Sequence, residues 1–301
     1  MIPNFLVIGA QKSGTTWLYD RLRRHPDIFM PKVKEVHFFN RRDSNLRPRR
    51  NYEKHDLGWY RDHFRRRSGE RAVGEATPLY LCDKAAPGRI RNRLPDVKLI
   101  ACLRYPTDRA YSHYWMARGK EHTEKSFQEI VRDRDPRFIA RGHYGEQIER
   151  YLSLFDRRNL LVLIHEELFS HPAQTLNRIS DFLGVDDTFF RDQSWIAEKV
   201  NRSSEVRSRA VHRMIGTVAK WMRDHWGSRQ VLDLVKWTGM ARLIKEANTE
   251  PREYPPMSRD LRAELDEYYD PTIQRVEEIL GRCVEAWRRR SALARDRLMT
   301  E

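Results

Sequence analysis

Four short apolar runs, separated by stretches with helical patterning, limit the folds that are open to this chain of 301 residues. Each run has the length of a strand and is bounded by polar or turn-forming residues. Runs of this kind are typical of strands that are buried on both faces of a parallel sheet. The predicted strands span residues 5–9, 72–76, 97–103 and 159–165.

Helical patterns lie between the apolar runs. The predicted helices span residues 15–24, 106–118, 142–156 and 172–183. Pro106 and Pro172 stand where proline is favoured, at the first position of a helix, and Gly184 stands where glycine commonly ends one. The alternation of strands and helices predicts an α/β fold, a P-loop-like three-layer sandwich around a central parallel sheet. Ligands of such folds bind at the carboxyl ends of the strands.

The strand pattern stops after residue 190, and the rest of the chain has a mainly helical pattern. Residues 207–245 are amphipathic and basic, which suits either packed helices or a surface that selects a ligand. Residues 258–290 predict two helices with a break near Pro271, because proline interrupts helical hydrogen bonding. The sequence predicts a single domain, residues 1–301, with an α/β core over 1–190 and a mainly helical part over 191–301.

The charge balance is strongly basic. Lysine and arginine number 57, aspartate and glutamate 43, and the formal net charge is +14. Such an excess favours anionic ligands, such as nucleotides, polyanionic glycans or nucleic acid, although solvated helix faces would explain it equally well. No segment resembles a nucleic-acid recognition module. Three widely spaced cysteines predict neither a disulfide framework nor a metal site.

The sequence predicts a protein without a membrane span. No window of about 18 apolar residues is present, which is the length that a transmembrane helix needs. The first residues, MIPNFLVIGAQ, lack the basic leader and the apolar run of a signal peptide. We therefore expect a cytoplasmic protein, whose oligomeric state the sequence leaves open.

The segment GAQKSGTT, residues 9–16, follows the first predicted strand and opens the first predicted helix. In this context backbone N–H groups and the helix N-terminus form an anion cradle. A nucleoside-triphosphatase loop places lysine directly after the second glycine, but here Thr15 follows Gly14 and Lys12 precedes it. The strand that would supply a magnesium-binding aspartate ends in Arg104 instead. The loop predicts a phosphate site without a metal; a turn that merely packs a helix on a strand is the alternative.

Several segments, in order, resemble the sulfotransferases that use 3′-phosphoadenosine 5′-phosphosulfate (PAPS). QKSGTTWL resembles the 5′-phosphosulfate loop of that family, and LRYPTDRAYSHYW (103–115) resembles its 3′-phosphate segment. KEVHFFN (34–40) is similar to the acceptor-side segment of the heparan-sulfate branch, and GEATPLYL (74–81) to another shared segment. The resemblance covers residues 5 to about 184 in order and spacing and is looser beyond them.

This resemblance implies PAPS as the co-substrate, with no metal required. Lys12 would stabilise the leaving phosphate oxygen, because a compact ammonium acts as a point charge. Arg104 and Ser112, eight residues apart, would converge on the 3′-phosphate. A later loop would cover the nucleotide. The implied donor-binding residues are Lys12, Ser13, Gly14, Thr15, Thr16, Trp17, Arg104, Ser112, Asn201 and Arg207.

An acceptor alcohol needs a group that removes its proton as it attacks sulfur. Glu35 and His37 would point the same way if their segment is extended. In the glycan-type branch the matching glutamate is the base, so the resemblance implies Glu35 as the base, with His37 assisting. An ion pair of Glu35 with Lys32 or Lys34, and packing of His37 beside Phe38, are the alternatives.

The sequence departs from the heparan-type pattern at Ala76, where lysine is usual, and at Tyr105, which replaces aspartate in Arg-Asp-Pro. The overall prediction is an enzyme that moves a sulfuryl group from PAPS to a hydroxyl of a carbohydrate or small-molecule acceptor. The basic charge of the chain would suit an acceptor that carries an anionic group. A P-loop kinase-like phosphotransferase is the alternative, and it would need magnesium and a lysine after Gly14. A non-catalytic polyanion-binding protein is a third interpretation, based on the basic net charge.

Overall fold

A computed structural model describes residues 2–119, 122–191, 193–197, 204–206, 249–251 and 254–296. The chain divides into two compact units. The larger comprises Met1–Val200 and Met257–Glu301, and the smaller comprises Asn201–Pro256. The prediction of a single domain with a boundary near residue 190 stays a prediction.

A five-stranded parallel sheet forms the centre of the larger unit, with the strand order β2-β3-β1-β4-β5. All four predicted strands are confirmed. The fifth, β2, has two residues and is too short to give an apolar-run signal. The strands are β1 Phe5–Gly9, β2 Ile28–Phe29, β3 Ala72–Ala76, β4 Lys98–Leu103 and β5 Leu160–Ile164.

Helices connect these strands and follow the last of them. The four helices predicted within the core are present. The left-handed Gly184, with φ +78°, ends one of them as the sequence predicted. The helices are α1 Thr15–Leu22, α2 Asn51–Lys54, α3 Leu57–Asp62, α4 Ala86–Arg93, α5 Pro106–Gly119, α6 Phe127–Arg132, α7 Tyr144–Leu152, α8 His165–Ser170, α9 Pro172–Leu183, α10 Arg259–Leu280 and α11 Glu285–Asp296.

The two faces of the sheet are covered by separate hydrophobic clusters, as a three-layer sandwich requires. Leu6 and Ile8 of β1 belong to one cluster together with residues of α5, α7, α10 and α11. Phe5 and Val7 belong to the other, together with residues of α1 and α9. The alternation along β1 follows from the period of two in a strand. The predicted fold class is confirmed.

The smaller unit contains a pair of antiparallel strands, β6 Ser204–Val206 and β7 Thr249–Pro251. The expectation that strands stop after residue 190 is therefore wrong, because three-residue strands leave no periodic signal. Asn201, Arg207 and the whole segment 207–245 lie outside the described residues.

The predicted helix break near Pro271 is also wrong. Pro271 lies inside α10, which is one continuous helix from Arg259 to Leu280. Pro271 and Glu267, the residue one turn earlier, are both exposed, so the carbonyl that loses its partner faces the solvent side. The helix buries Tyr269 and Val276 against the core, and burial of such side chains contributes about 1.5–3 kcal/mol each. This burial offsets the cost of proline.

Replacing Pro271 with alanine should therefore stabilise the protein by about 1–2 kcal/mol, because the helix gains a hydrogen bond at no packing cost. Guanidinium unfolding followed by circular dichroism measures the change. Gln274→Ala, at another exposed position of α10, controls for the helix propensity of alanine. Lower stability in Pro271→Ala would show that the proline is required at this position.

Candidate active site

The predicted site residues follow the strands in the middle of the sheet. β1 runs into the loop with Lys12 and Gly14, β3 is followed by Thr77, and β4 by Arg104. Because β1 pairs in parallel with β3 and β4, the three strand ends lie at the same edge. Pairing continues past β3, where the Thr77 N–H donates to the Val7 carbonyl at 3.1 Å.

The loop between β1 and α1 has the backbone shape of an anion cradle. Lys12 and Gly14 are left-handed, with φ of +72° and +87°. A Cβ at Gly14 would lie 3.1 Å from the Phe169 ring and 3.2 Å from His165 Nδ1, so glycine suits this position. Helix α1 begins directly after Gly14, with no side-chain cap from the described residues. Its first N–H groups are available to a ligand.

The side chains of this loop are more buried than the sequence suggested. Ser13 is fully buried, Thr15 is buried and Thr16 is partly buried. Trp17 packs edge-on against Phe169, with 5.4 Å between ring centroids. The burial of these side chains leaves less of them for a ligand to contact, and their binding roles stay predictions.

Arg104 and Ser112 are placed by β4 and α5. Arg104 Nη1 lies 3.5 Å from the Lys12 carbonyl oxygen, so this cation reaches the glycine loop. Helix α5 begins at Pro106, and Ser112 is half-buried on its second turn. Two cationic residues, Lys12 and Arg104, thus lie at the glycine loop. The shared role of Arg104 and Ser112 in binding a 3′-phosphate stays a prediction.

Glu35 and His37 are in contact, with His37 Nε2 lying 3.4 Å from Glu35 Oε2. The segment is not extended, however, because His37 is left-handed with φ +56°. The side-chain amide of Asn51 donates to the His37 carbonyl at 3.1 Å, and Asn40 Oδ1 lies 3.2 Å from His37 Nδ1. Lys34 Nζ donates to Glu35 Oε1 at 2.9 Å. The ion pair with Lys34 and the contact with His37 therefore coexist.

The charge state of Glu35 is set by these neighbours. Burial disfavours the charged carboxylate, but the hydrogen bond from His37 and the Lys34 ammonium outweigh it and lower the pKa of Glu35 to about 2. Glu35 is therefore ionised at neutral pH, the state in which a carboxylate accepts a proton.

One cavity of about 230 Å³ lies beside the predicted base and reaches the glycine loop at Gln11. Gln11, which precedes Lys12 in the glycine loop, lines this cavity together with Glu35 and His37. The donor loop and the predicted base therefore open onto the same space.

Sequence reasoning missed Arg141, Gln11 and His113. Arg141 is buried and its guanidinium donates to the Gln11 side-chain oxygen. His113 lines the cavity, and burial, together with the nearby charge of Arg141, holds its pKa well below the usual range. Because 130 residues separate Arg141 from Gln11, no local pattern signals their contact.

The described residues contain no group of three or more histidine, cysteine, aspartate or glutamate side chains arranged to hold a metal ion. Within the same part of the chain, no helix combines the length and the apolar character that crossing a bilayer requires.

Comparison with known proteins identifies the family. Residues 3–225 match the model of the sulfotransferase domain, so the chain belongs to the sulfotransferase family. It is 34% identical over 192 residues to human heparan sulfate glucosamine 3-O-sulfotransferase 3B1, across 61% of this chain and 46% of the relative. It is 29% identical over 318 residues to human bifunctional heparan sulfate N-deacetylase/N-sulfotransferase 3, across 96% of this chain and 31% of the relative. The chain spans less than half of the length of either human relative.

A solved structure resembles the whole chain. A sulfotransferase from Alicyclobacillus acidocaldarius has a TM-score of 0.67 and 28% sequence identity, across 96% of this chain and 99% of that one. The family membership confirms the resemblance to PAPS-dependent sulfotransferases and the enzyme class, and it does not support the kinase alternative.

The contacts of Glu35 with Lys34 and His37 predict that the stability of the folded protein depends on pH. The folded-state pKa of about 2 lies below the ordinary value of 4.5. The ionised group therefore stabilises the fold above about pH 4.5, and this contribution is lost as the pH falls toward 2. The melting-temperature difference between wild type and Glu35→Gln should shrink between about pH 6 and about pH 3.5, as measured by calorimetry.

Glu267→Gln is the matched control, since it makes the same chemical change at an exposed position of α10. The Glu35→Gln difference is read relative to the difference that this control shows at the same pH. A Glu35→Gln difference that grows in acid would contradict the low pKa.

Proposed function

We propose that this chain transfers a sulfuryl group from PAPS to a hydroxyl of a carbohydrate acceptor. The observation that carries the proposal is the shared cavity, onto which the lysine-bearing loop and the ionised Glu35 both open. A phosphate cradle beside a carboxylate base suits a reaction in which positioning and charge stabilisation supply most of the rate.

On the donor side, the N–H groups at the start of α1 would hold the 5′-phosphosulfate. Lys12 would stabilise the charge that develops on the 5′-phosphate oxygen as the bond from that oxygen to sulfur breaks. Arg104, which reaches the Lys12 carbonyl, would join Ser112 in binding the 3′-phosphate. The fit of this loop to an anionic nucleotide rests on two features. The start of α1 has no side-chain cap from the described residues, and Lys12 and Arg104 both lie at the loop.

On the acceptor side, Glu35 would take the proton of the attacking hydroxyl as its oxygen forms the new bond to sulfur. The products are a sulfate ester and adenosine 3′,5′-bisphosphate, with the proton left on Glu35. His37 contacts Glu35 at 3.4 Å and would hold the carboxylate toward the acceptor.

Two observations support a carbohydrate acceptor. Both human relatives are named for heparan sulfate. The cavity also contains Ser44 and Asn45, which suit a hydroxyl-rich molecule, and Arg49 and Arg137, which would suit an anionic one.

Labelled-sulfate transfer from PAPS to heparan sulfate, simple sugars, lipids and phenols tests the proposal. Glu35→Gln should lower transfer by about 10²–10⁴-fold because the base is lost, and it should leave nucleotide binding intact. Lys12→Ala should lower transfer by about 10²–10³-fold because charge on the leaving oxygen is no longer stabilised. Glu267→Gln serves again as the control with unchanged activity. Full activity in Glu35→Gln would remove Glu35 as the base.

A further inference from the structure

Glu75 is a fully buried carboxyl group in β3, next to the segment that carries Glu35 and His37. Hydrogen-bond donors surround it. They are the hydroxyls of Thr77 at 2.6 Å, Tyr80 at 2.8 Å and Tyr60 at 3.0 Å.

Three hydroxyl donors suit the acceptor oxygens of this carboxyl group. Burial raises the pKa of Glu75, although the hydrogen bonds from Thr77, Tyr80 and Tyr60 act in the opposite direction. Burial and the charge of Glu75 also raise the pKa values of Tyr60 and Tyr80 well above the usual range, so both stay donors.

This arrangement fixes the direction of the next hydrogen bonds. Because Thr77 and Tyr80 give their hydrogens to Glu75, their oxygen lone pairs accept from the backbone. The His37 N–H donates to Thr77 Oγ1 at 3.4 Å, and the Phe38 N–H donates to the Tyr80 hydroxyl at 3.0 Å. Two consecutive backbone positions, His37 and Phe38, are thus linked through hydroxyl groups to one carboxyl group.

The backbone of His37 is the part of this segment that needs stabilising contacts. His37 has φ +56°, a left-handed conformation that is uncommon for residues other than glycine. Such conformations persist where the surrounding structure fixes them. In this conformation the His37 ring contacts the Glu35 carboxylate at 3.4 Å.

We propose that Glu75 is a positioning residue for the acceptor-side base, which holds the backbone of His37 and Phe38 through Thr77 and Tyr80 so that Glu35 and His37 stay in contact. The proposal rests on the proposed role of Glu35. Among the described residues, Glu75 contacts hydroxyl groups and no cationic side chain. A buried carboxyl group of this kind adds little to stability compared with apolar packing, so its place beside the base accounts for it better.

Thr77→Val and Thr77→Ser form the sharpest test. Valine keeps the shape of threonine but gives His37 no acceptor, whereas serine keeps the hydroxyl. Thr77→Val should accelerate hydrogen exchange of the His37 amide at least about tenfold. It should also lower the kcat of sulfate transfer from PAPS to heparan sulfate by about 10- to 100-fold, with an unchanged Kd for adenosine 3′,5′-bisphosphate. Thr77→Ser should stay close to wild type in all three measurements.

Tyr80→Phe tests the second link independently and should accelerate exchange at Phe38. Its control is Tyr269→Phe, which removes another buried hydroxyl, one bonded to the Ile139 carbonyl at 2.7 Å. Unchanged exchange at His37 and Phe38 in these variants, or unchanged kcat with accelerated exchange, would overturn the positioning role. If wild type transfers no sulfate to any acceptor, the proposed function fails, while the exchange rates still decide whether Glu75 holds the segment.

Discussion

The parallel pairing of β1 with both β3 and β4 is the constraint on which the rest of the site depends. It places the glycine loop between the segment after β3 and Arg104, the residue that follows β4. Backbone hydrogen bonds extend this pairing beyond the strands. The Ala10 N–H donates to the Cys102 carbonyl at 2.7 Å on one side, and the Thr77 N–H donates to the Val7 carbonyl on the other. A shift of either register would separate Arg104 or Thr77 from the loop.

The two halves of the site are built on different physical principles. The donor half uses backbone N–H groups and cationic residues, which suit an anionic nucleotide. The acceptor half is organised by carboxylates: Glu75 is buried and surrounded by donors, and Glu35 is ion-paired with Lys34 at the cavity. A carboxylate with a pKa of about 2 is a weak base. In the proposed reaction it takes the proton as bond formation to sulfur makes the acceptor hydroxyl more acidic.

Much of this arrangement could be predicted from the sequence because it depends on local pattern. The apolar runs gave the four long strands, and the position of Lys12 relative to Gly14 separated the loop from that of a triphosphatase. Features that depend on long-range packing were not predictable. Pro271 continues a helix because it faces solvent, His37 turns left-handed because distant side chains hold its backbone, and Arg141 reaches Gln11 across 130 residues.

The central claim is that the glycine loop binds a 3′-phosphorylated adenosine nucleotide and not a magnesium-bound triphosphate. Isothermal titration calorimetry with adenosine 3′,5′-bisphosphate and, separately, with ATP and magnesium tests it directly. We predict tighter binding of the bisphosphate, without any need for metal. Tighter binding of ATP with magnesium would contradict the account.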